Sequence, residues 1–255
     1  RQRLETEDGY FVDIDTLLHS LTSSKAVLLF HGLEGSSKQH YIQYHAAKFF
    51  EIGFDVYALN FRSCSGEMNK TLKLYHSGDT DDLRFFVKKL LAQKQYDEVK
   101  LLGFSLGGNV VLKYLGEEAE DISNKIKEAY AISTPIDLKS CSQALASGVN
   151  RLYALNFMLT LRVKVKTLAE LHHHEYLKSI DVKKLKDFYS FDELVTAPLN
   201  NFKNNEDYWA KASSRPYLPK IRVKTKLINA RNDPFLGEAC YPTQAEIQNP
   251  FIELI

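Results

Sequence analysis

The stretch from Val99 to Asn109 constrains the fold most. An apolar run, Val99-Lys-Leu-Leu-Gly-Phe104, delivers the chain into Gly103-Phe-Ser105-Leu-Gly107-Gly108, and Leu106 to Leu115 reads as a helix. A strand that becomes a helix through one serine must bend sharply, and side chains two positions to either side would clash, so glycine stands at both. The bend lifts the hydroxyl clear of the main chain. The helix that follows aims its free N–H groups and positive end at the same spot, where negative charge would develop. Taken alone, these residues also describe a Gly-rich turn with Ser105 as a helix N-cap. The flanking strand and helix point to a serine nucleophile.

The alternation of apolar run, turn and amphipathic stretch recurs. Val27 to Phe30 reads as a buried strand, followed by the loop His31-Gly-Leu-Glu-Gly-Ser-Ser37 and a helix from Tyr41 to Phe50. Asp55 to Asn60 is the next strand. Asp79 is expected to N-cap a helix with Asp82 in its first turn and Leu83, Phe86, Val87, Leu90 and Leu91 on one face. Glu128 to Ile132 and Lys226 to Asn229 are further strands. This order predicts a mostly parallel sheet covered on both faces, and 255 residues suffice to bury about three quarters of the unfolded surface.

Between Pro135 and Pro216 the rhythm breaks. Leu152, Tyr153, Leu155, Phe157, Met158 and Leu161 form apolar helical patches; Leu168 to Lys186 is charged and helix-prone; Phe188 to Tyr208 is aromatic and loop-like. No buried strand is evident there. The reading is a helical cap inserted over the carboxyl edge of the sheet, where open α/β folds bind ligands; ordinary sheet-covering helices are the alternative. The expected division is a core over 1–136, a cap over 137–216 and the second part of the core over 217–255.

Lys and Arg number 33 against 32 Asp and Glu, so the whole chain carries no electrostatic footprint for nucleic acid or an anionic membrane. Cys64, Cys141 and Cys240 are too few and too scattered for a disulfide framework or a zinc motif. The loop after Phe30 does not match a phosphate-binding Gly-x4-Gly-Lys-Ser/Thr, and no Gly-x-Gly-x-x-Gly follows a strand, so a dinucleotide cofactor is not expected. Ala26–Phe30 and Leu152–Leu161 fall far short of the roughly 20 apolar residues a membrane-spanning helix needs. Arg1-Gln-Arg-Leu-Glu is not a signal peptide and reads as a chain entered partway. Absent targeting signals and sparse cysteines give a cytoplasmic expectation, with an upstream anchor left open.

Acyl transfer at Ser105 would need two further elements. An oxyanion hole takes one backbone N–H from the residue after the nucleophile, here Leu106, and one from a loop after an earlier strand, here Leu33, with Gly32 allowing close approach. His31 reads as an organiser of that loop rather than a proton carrier. An acid should follow a later strand, and Asp233 in Asn229-Ala-Arg-Asn-Asp-Pro stands there, in the chain order serine, acid, histidine. Asn-Asp-Pro is also plain turn chemistry.

Together, His31-Gly-Leu-Glu-Gly-Ser, Asn60-Phe-Arg-Ser-Cys-Ser-Gly-Glu67, Tyr75-His-Ser-Gly-Asp-Thr-Asp-Asp-Leu83, Gly103-Phe-Ser-Leu-Gly-Gly-Asn109 and Asn229-Ala-Arg-Asn-Asp-Pro-Phe235 resemble the signature blocks of YheT-like α/β-hydrolases. That group is similar to plant embryogenesis-associated hydrolases and to animal abhydrolase-domain lipases. Phe191-Asp-Glu and Asp207-Tyr-Trp-Ala-Lys-Ala-Ser-Ser214 resemble its insertion. The resemblance implies a serine hydrolase of carboxylic esters, lipid esters among them, without a cofactor, with Ser105 as nucleophile and Asp233 as charge-relay acid. Ser63 and Asn201 depart from it where glycine is usual, and Ser63 suggests a tighter or shifted loop.

The resemblance also implies a catalytic histidine in a Gly-Gly-His stretch after the last strand. Pro250-Phe-Ile-Glu-Leu-Ile255 reads as the start of that strand, and all eight histidines precede Asp233. His76 is expected to be structural, and His172, His173 and His174, about 100° apart if helical, form a solvated surface run rather than a metal site. The expectation is a general base beyond the given chain, and negligible ester hydrolysis by residues 1–255 alone. The competing class is a non-catalytic ligand-binding or interaction module on the same fold. Substrate-contacting residues and oligomeric state are not legible.

Overall fold

The structure is a computed structural model that describes residues 1–21, 23–68 and 71–255. Eight strands form one sheet: β1 (Gln2–Glu5), β2 (Phe11–Leu17), β3 (Lys25–Phe30), β4 (Asp55–Asn60), β5 (Glu98–Phe104), β6 (Ile126–Ile132), β7 (Lys224–Ile228) and β8 (Ile252–Leu254). Their spatial order is β1-β2-β4-β3-β5-β6-β7-β8. β1 and β2 pair antiparallel, β2 lies antiparallel to β4, and β3 to β8 run parallel. Val27, Leu28 and Leu29 are all fully buried, the near-continuous apolar run of a strand covered on both faces.

On one face, Leu83, Phe86 and Leu90 of α2 (Asp81–Gln93) and Val110, Val111 and Leu115 of α3 (Leu106–Glu117) pack on Leu28, Phe30 and Leu101. On the other, Ile42 and Ala46 of α1 (His40–Glu51) meet Val27, Leu29 and Leu102. β5 sits between β3 and β6, so the chain leaves it for α3 at the middle of the sheet's carboxyl edge.

Several boundaries differ from the sequence reading. Thr80, not Asp79, precedes α2, and Asp81 and Asp82 occupy its first turn. Asp79 is instead buried beside Lys73, whose Nζ lies 3.1 Å from Oδ2. β7 stops at Ile228, and the side chain of the next residue, Asn229, reaches across: its Oδ1 accepts the Thr134 N–H (2.7 Å), and its Nδ2 donates to the Thr134 and Cys240 carbonyls (3.1 Å each). That clasp fixes the loop after β6 against the loop after β7. The β1–β2 pair has no counterpart in the sequence reading. Asp13 breaks the apolar pattern of β2 yet is buried, held by two bonds from Arg3 on β1 (2.8 and 2.7 Å).

From β6 to β7 the chain forms helices and no strand among the described residues: α4 (Leu138–Leu145), α5 (Asn150–Leu171) and shorter pieces, among them the helix Asn205–Ala212, ending in the 3-10 helix Arg215–Lys220. Met158, Leu161, Val165 and Leu168 of α5 build a separate apolar cluster with Leu177, Leu185, Phe191 and Val195. The aromatic stretch from Phe188 is mostly helical, not loop-like. Asp187 and Ser190 form a reciprocal capping box that satisfies two otherwise free donors and starts it.

Candidate active site

Ser105 has φ 50° and ψ −120°, a left-handed bend that costs a non-glycine residue about 1–3 kcal/mol. Close packing enforces it. A Cβ at Gly107 would lie 2.5 Å from the Phe30 carbonyl oxygen, and one at Gly103 would run into the Gly107 carbonyl. The Ser105 N–H donates to the Ile132 carbonyl (2.8 Å), tying the bend to β6. The side chain is half-buried on the wall of a cavity of about 980 Å³ including its mouth.

Leu33 and Leu106 line the same cavity. A Cβ on Gly32 would sit 3.2 Å from that of Ser105, which measures how closely the loop after β3 approaches the serine. Its N–H groups are sorted by hydrogen bonding. That of Gly32 donates to the Tyr41 hydroxyl (3.1 Å), and that of Glu34 to the Tyr75 hydroxyl (2.8 Å). Leu33, between them, and Leu106, at the first turn of α3, donate to nothing among the described residues. Two main-chain donors therefore remain for a ligand beside Ser105.

His31 is fully buried below this loop. Its Nδ1–H donates to the Gly32 carbonyl (2.7 Å), and its Nε2 accepts the Phe61 N–H (3.1 Å). Burial pushes its pKa down to about 4, so the ring stays neutral and serves as a brace. Above the loop lies a group that sequence reasoning missed. Tyr75 donates its hydroxyl proton to Glu34 Oε1 (2.7 Å), and Lys164 of α5 donates to the same oxygen (2.7 Å), with Cys64 Sγ 3.4 Å from the ammonium. Burial would lower the Lys164 pKa, but Cys64 and Glu34 outweigh it and hold it above the usual lysine value. Lys164 stands far along the chain from Glu34, and no local motif announces the pair.

Asp233 lies on the loop after β7, half-buried, and its Oδ1 accepts the Phe235 N–H (2.9 Å). Phe235 and Leu236 of that loop line the cavity; Asp233 itself does not. No histidine bonds to Ser105 or Asp233 among the described residues. His76 lines the cavity, with Nδ1 accepting the Gly78 N–H (3.1 Å) and its ring edge-on to Phe202 and Tyr208. Burial, with Lys73 and Lys113 nearby, pushes its pKa down to about 3. His172, His173 and His174 are not on one helix: the first ends α5, the second has φ 49°, and the third caps the next helix through Nδ1.

The rest of the cavity is mostly apolar, with Leu74, Leu138, Leu145, Phe157, Leu161 and Phe191 on its wall. One carboxyl interrupts it. Asp192 is buried, with its oxygens accepting Trp209 Nε1–H and the Thr196 hydroxyl (2.7 Å each), and burial pushes its pKa up to about 7. Ser63 and Asn201 both have left-handed backbones, φ 62° and 60°. The chain thus keeps at these two positions the conformation that glycine adopts without strain.

A family model described as alpha/beta hydrolase fold matches residues 25–247. YheT of Escherichia coli, named as an esterase, is 31% identical over 94% of this chain and 71% of its own. The monoacylglycerol lipase of Saccharomyces cerevisiae is 29% identical over 99% and 57%, and human phospholipase ABHD3 26% over 99% and 63%. The chain thus spans between 57% and 71% of these relatives' own lengths. Among solved structures, a Pyrococcus furiosus esterase superposes with a TM-score of 0.62 at 19% identity, over 99% of this chain and 80% of that one. Est1E of Butyrivibrio proteoclasticus, with ferulic acid bound, gives 0.61 at 12%, over 100% and 88%.

Proposed function

The chain belongs to the alpha/beta hydrolase fold family, among the YheT-like proteins, and from that premise we propose that it hydrolyses carboxylic esters with Ser105 as nucleophile. The observation that carries the reading is the half-buried Ser105 hydroxyl on an apolar cavity wall beside the uncommitted N–H groups of Leu33 and Leu106. Ser105 Oγ attacks the ester carbonyl, and the two N–H groups hold the negative oxygen of the tetrahedral intermediate. The alcohol leaves with a proton, an acyl-serine remains, and water releases the acid in a second step.

The proton carrier in this scheme is a histidine outside residues 1–255, oriented by Asp233, whose Oδ2 has no hydrogen-bond partner among the described residues. Residues 137–216 act as the cap, flanked by core segments 1–136 and 217–255. The apolar wall suits an acyl chain, and the lipase and phospholipase names of two relatives support a lipid ester.

The same lack of a histidine bonded to Ser105 favours the second reading, a non-catalytic binding module. A fluorophosphonate probe on the full chain, with Ser105→Ala as control, separates them. Labelling confined to Ser105 is expected; a folded protein that resists labelling overturns the proposal. Residues 1–255 alone should turn over ester at least about 10⁴-fold more slowly than the complete protein, the scale on which lost triad members act.

A further inference from the structure

Helix α5 is apolar on two sides. Its inner side packs Met158, Leu161, Val165 and Leu168 against Leu74, Leu177, Leu185, Phe191 and Val195, and Phe157 and Leu161 also reach the cavity wall. A helix apolar all round is normally covered all round. Here the outer side is bare: Leu152, Leu155, Leu159 and Val163 are 69%, 42%, 60% and 62% exposed. Their spacing of three, four and four residues puts them on one line about 16 Å long at 1.5 Å per residue. Single exposed leucines are ordinary; a row of four on one helix face is not.

Cations predominate around the row, although Glu170 on α5 and Asp181 at the start of the adjoining turn are also exposed there. Arg151 and Lys166 are exposed on α5, Lys183, Lys184 and Lys186 are exposed on the adjoining turn, and none has an ion-pair partner among the described residues. The turn is held against α5 by Arg162, which donates twice to the Leu185 carbonyl (2.9 and 2.7 Å). The near-neutral total of the chain conceals this local excess of cations. Tyr153, exposed at the start of the row, packs on Phe235 of the cavity wall (ring centroids 5.0 Å apart), so the outer row and the cavity lining are joined through one helix.

We propose that the outer face of α5, with its basic border, docks on an anionic lipid surface. An apolar row whose border is net cationic matches the acyl boundary and the headgroup charge of such a surface together. α5 lies in the interface plane with Leu152, Leu155, Leu159 and Val163 inserted, and its other side remains the wall of the cavity. The proposal does not depend on ester hydrolysis.

The test is co-sedimentation of the full chain with vesicles of phosphatidylcholine alone or with about one third phosphatidylglycerol. The anionic vesicles should bind about tenfold or more tightly, and Leu152→Glu with Leu159→Glu should abolish binding to them. Lys183→Glu with Lys184→Glu should remove the preference for anionic vesicles. Both variants alter exposed side chains, and an unchanged thermal melt establishes that they fold. Wild-type protein left in the supernatant, or binding indifferent to the leucine substitutions, overturns the proposal. So does a concentration-dependent dimer in light scattering that the leucine variant abolishes, since a second copy is then the occupant.

Discussion

Replacing Lys164 by Met isolates the Glu34–Lys164 bridge. The two side chains are only 15% and 9% exposed, with 2.7 Å between Nζ and Oε1. Methionine fills most of the lysine's volume, so the change removes a charge rather than packing. Breaking a buried pair from one side costs about 3–5 kcal/mol, because the remaining charge is stranded. The Tyr75 hydroxyl still donates to Glu34, so the expected loss is ~3 kcal/mol, a fall in Tm of about 6–12 °C for a domain of this size. Removing both charges, as Glu34→Gln with Lys164→Met, should return stability to within ~1 kcal/mol of wild type. Urea unfolding of wild type, both single variants and the double variant, at unchanged m-value, gives the coupling free energy directly. A Lys164→Met protein within ~1 kcal/mol of wild type, or a double variant as weak as the single, refutes the reasoning.

Asp192 gives a pH prediction. Its folded pKa of about 7 lies above the ordinary carboxylate value of 3.8, so the native state binds the extra proton. Stability from this group is complete below about pH 4 and is lost as pH rises through about 7, up to ~4 kcal/mol. Asp192→Asn should therefore gain on wild type between pH 4 and 8 in denaturant titrations, and a constant difference contradicts the assignment. Ser105→Gly should raise stability by ~1 kcal/mol in thermal melts, since relief of backbone strain exceeds the added chain entropy of glycine, while eliminating probe labelling. An unchanged or lower melting temperature would show that the bend at Ser105 stores no strain.

The parallel sheet was legible because its strands are short apolar runs; Asp55–Asn60 was read to the residue, and the serine bend followed from Gly103 and Gly107. Chemistry that closes over long separations was not. Asp13 looks like a break in a strand until Arg3 supplies two bonds, and Glu34 looks like a solvated loop carboxylate until Lys164 reaches it. Asp192 was visible only as part of a resembling block. Its buried setting depends on Trp209 and Thr196, whose indole and hydroxyl bonds no periodicity encodes. The helices after Phe188 were missed because aromatic content suggested loop, whereas the Asp187–Ser190 pair decides the backbone.

The Asn229 amide sets the gap between the departures from two neighbouring strands, whatever the long excursion between those strands does. Under the proposed function, the size and shape of the acyl pocket would then be separable from the spacing of Ser105 and Asp233. Grafting a relative's intervening helices onto this scaffold should exchange preference for one acyl chain against another, and a single carboxamide is the hinge-pin that permits such a transplant.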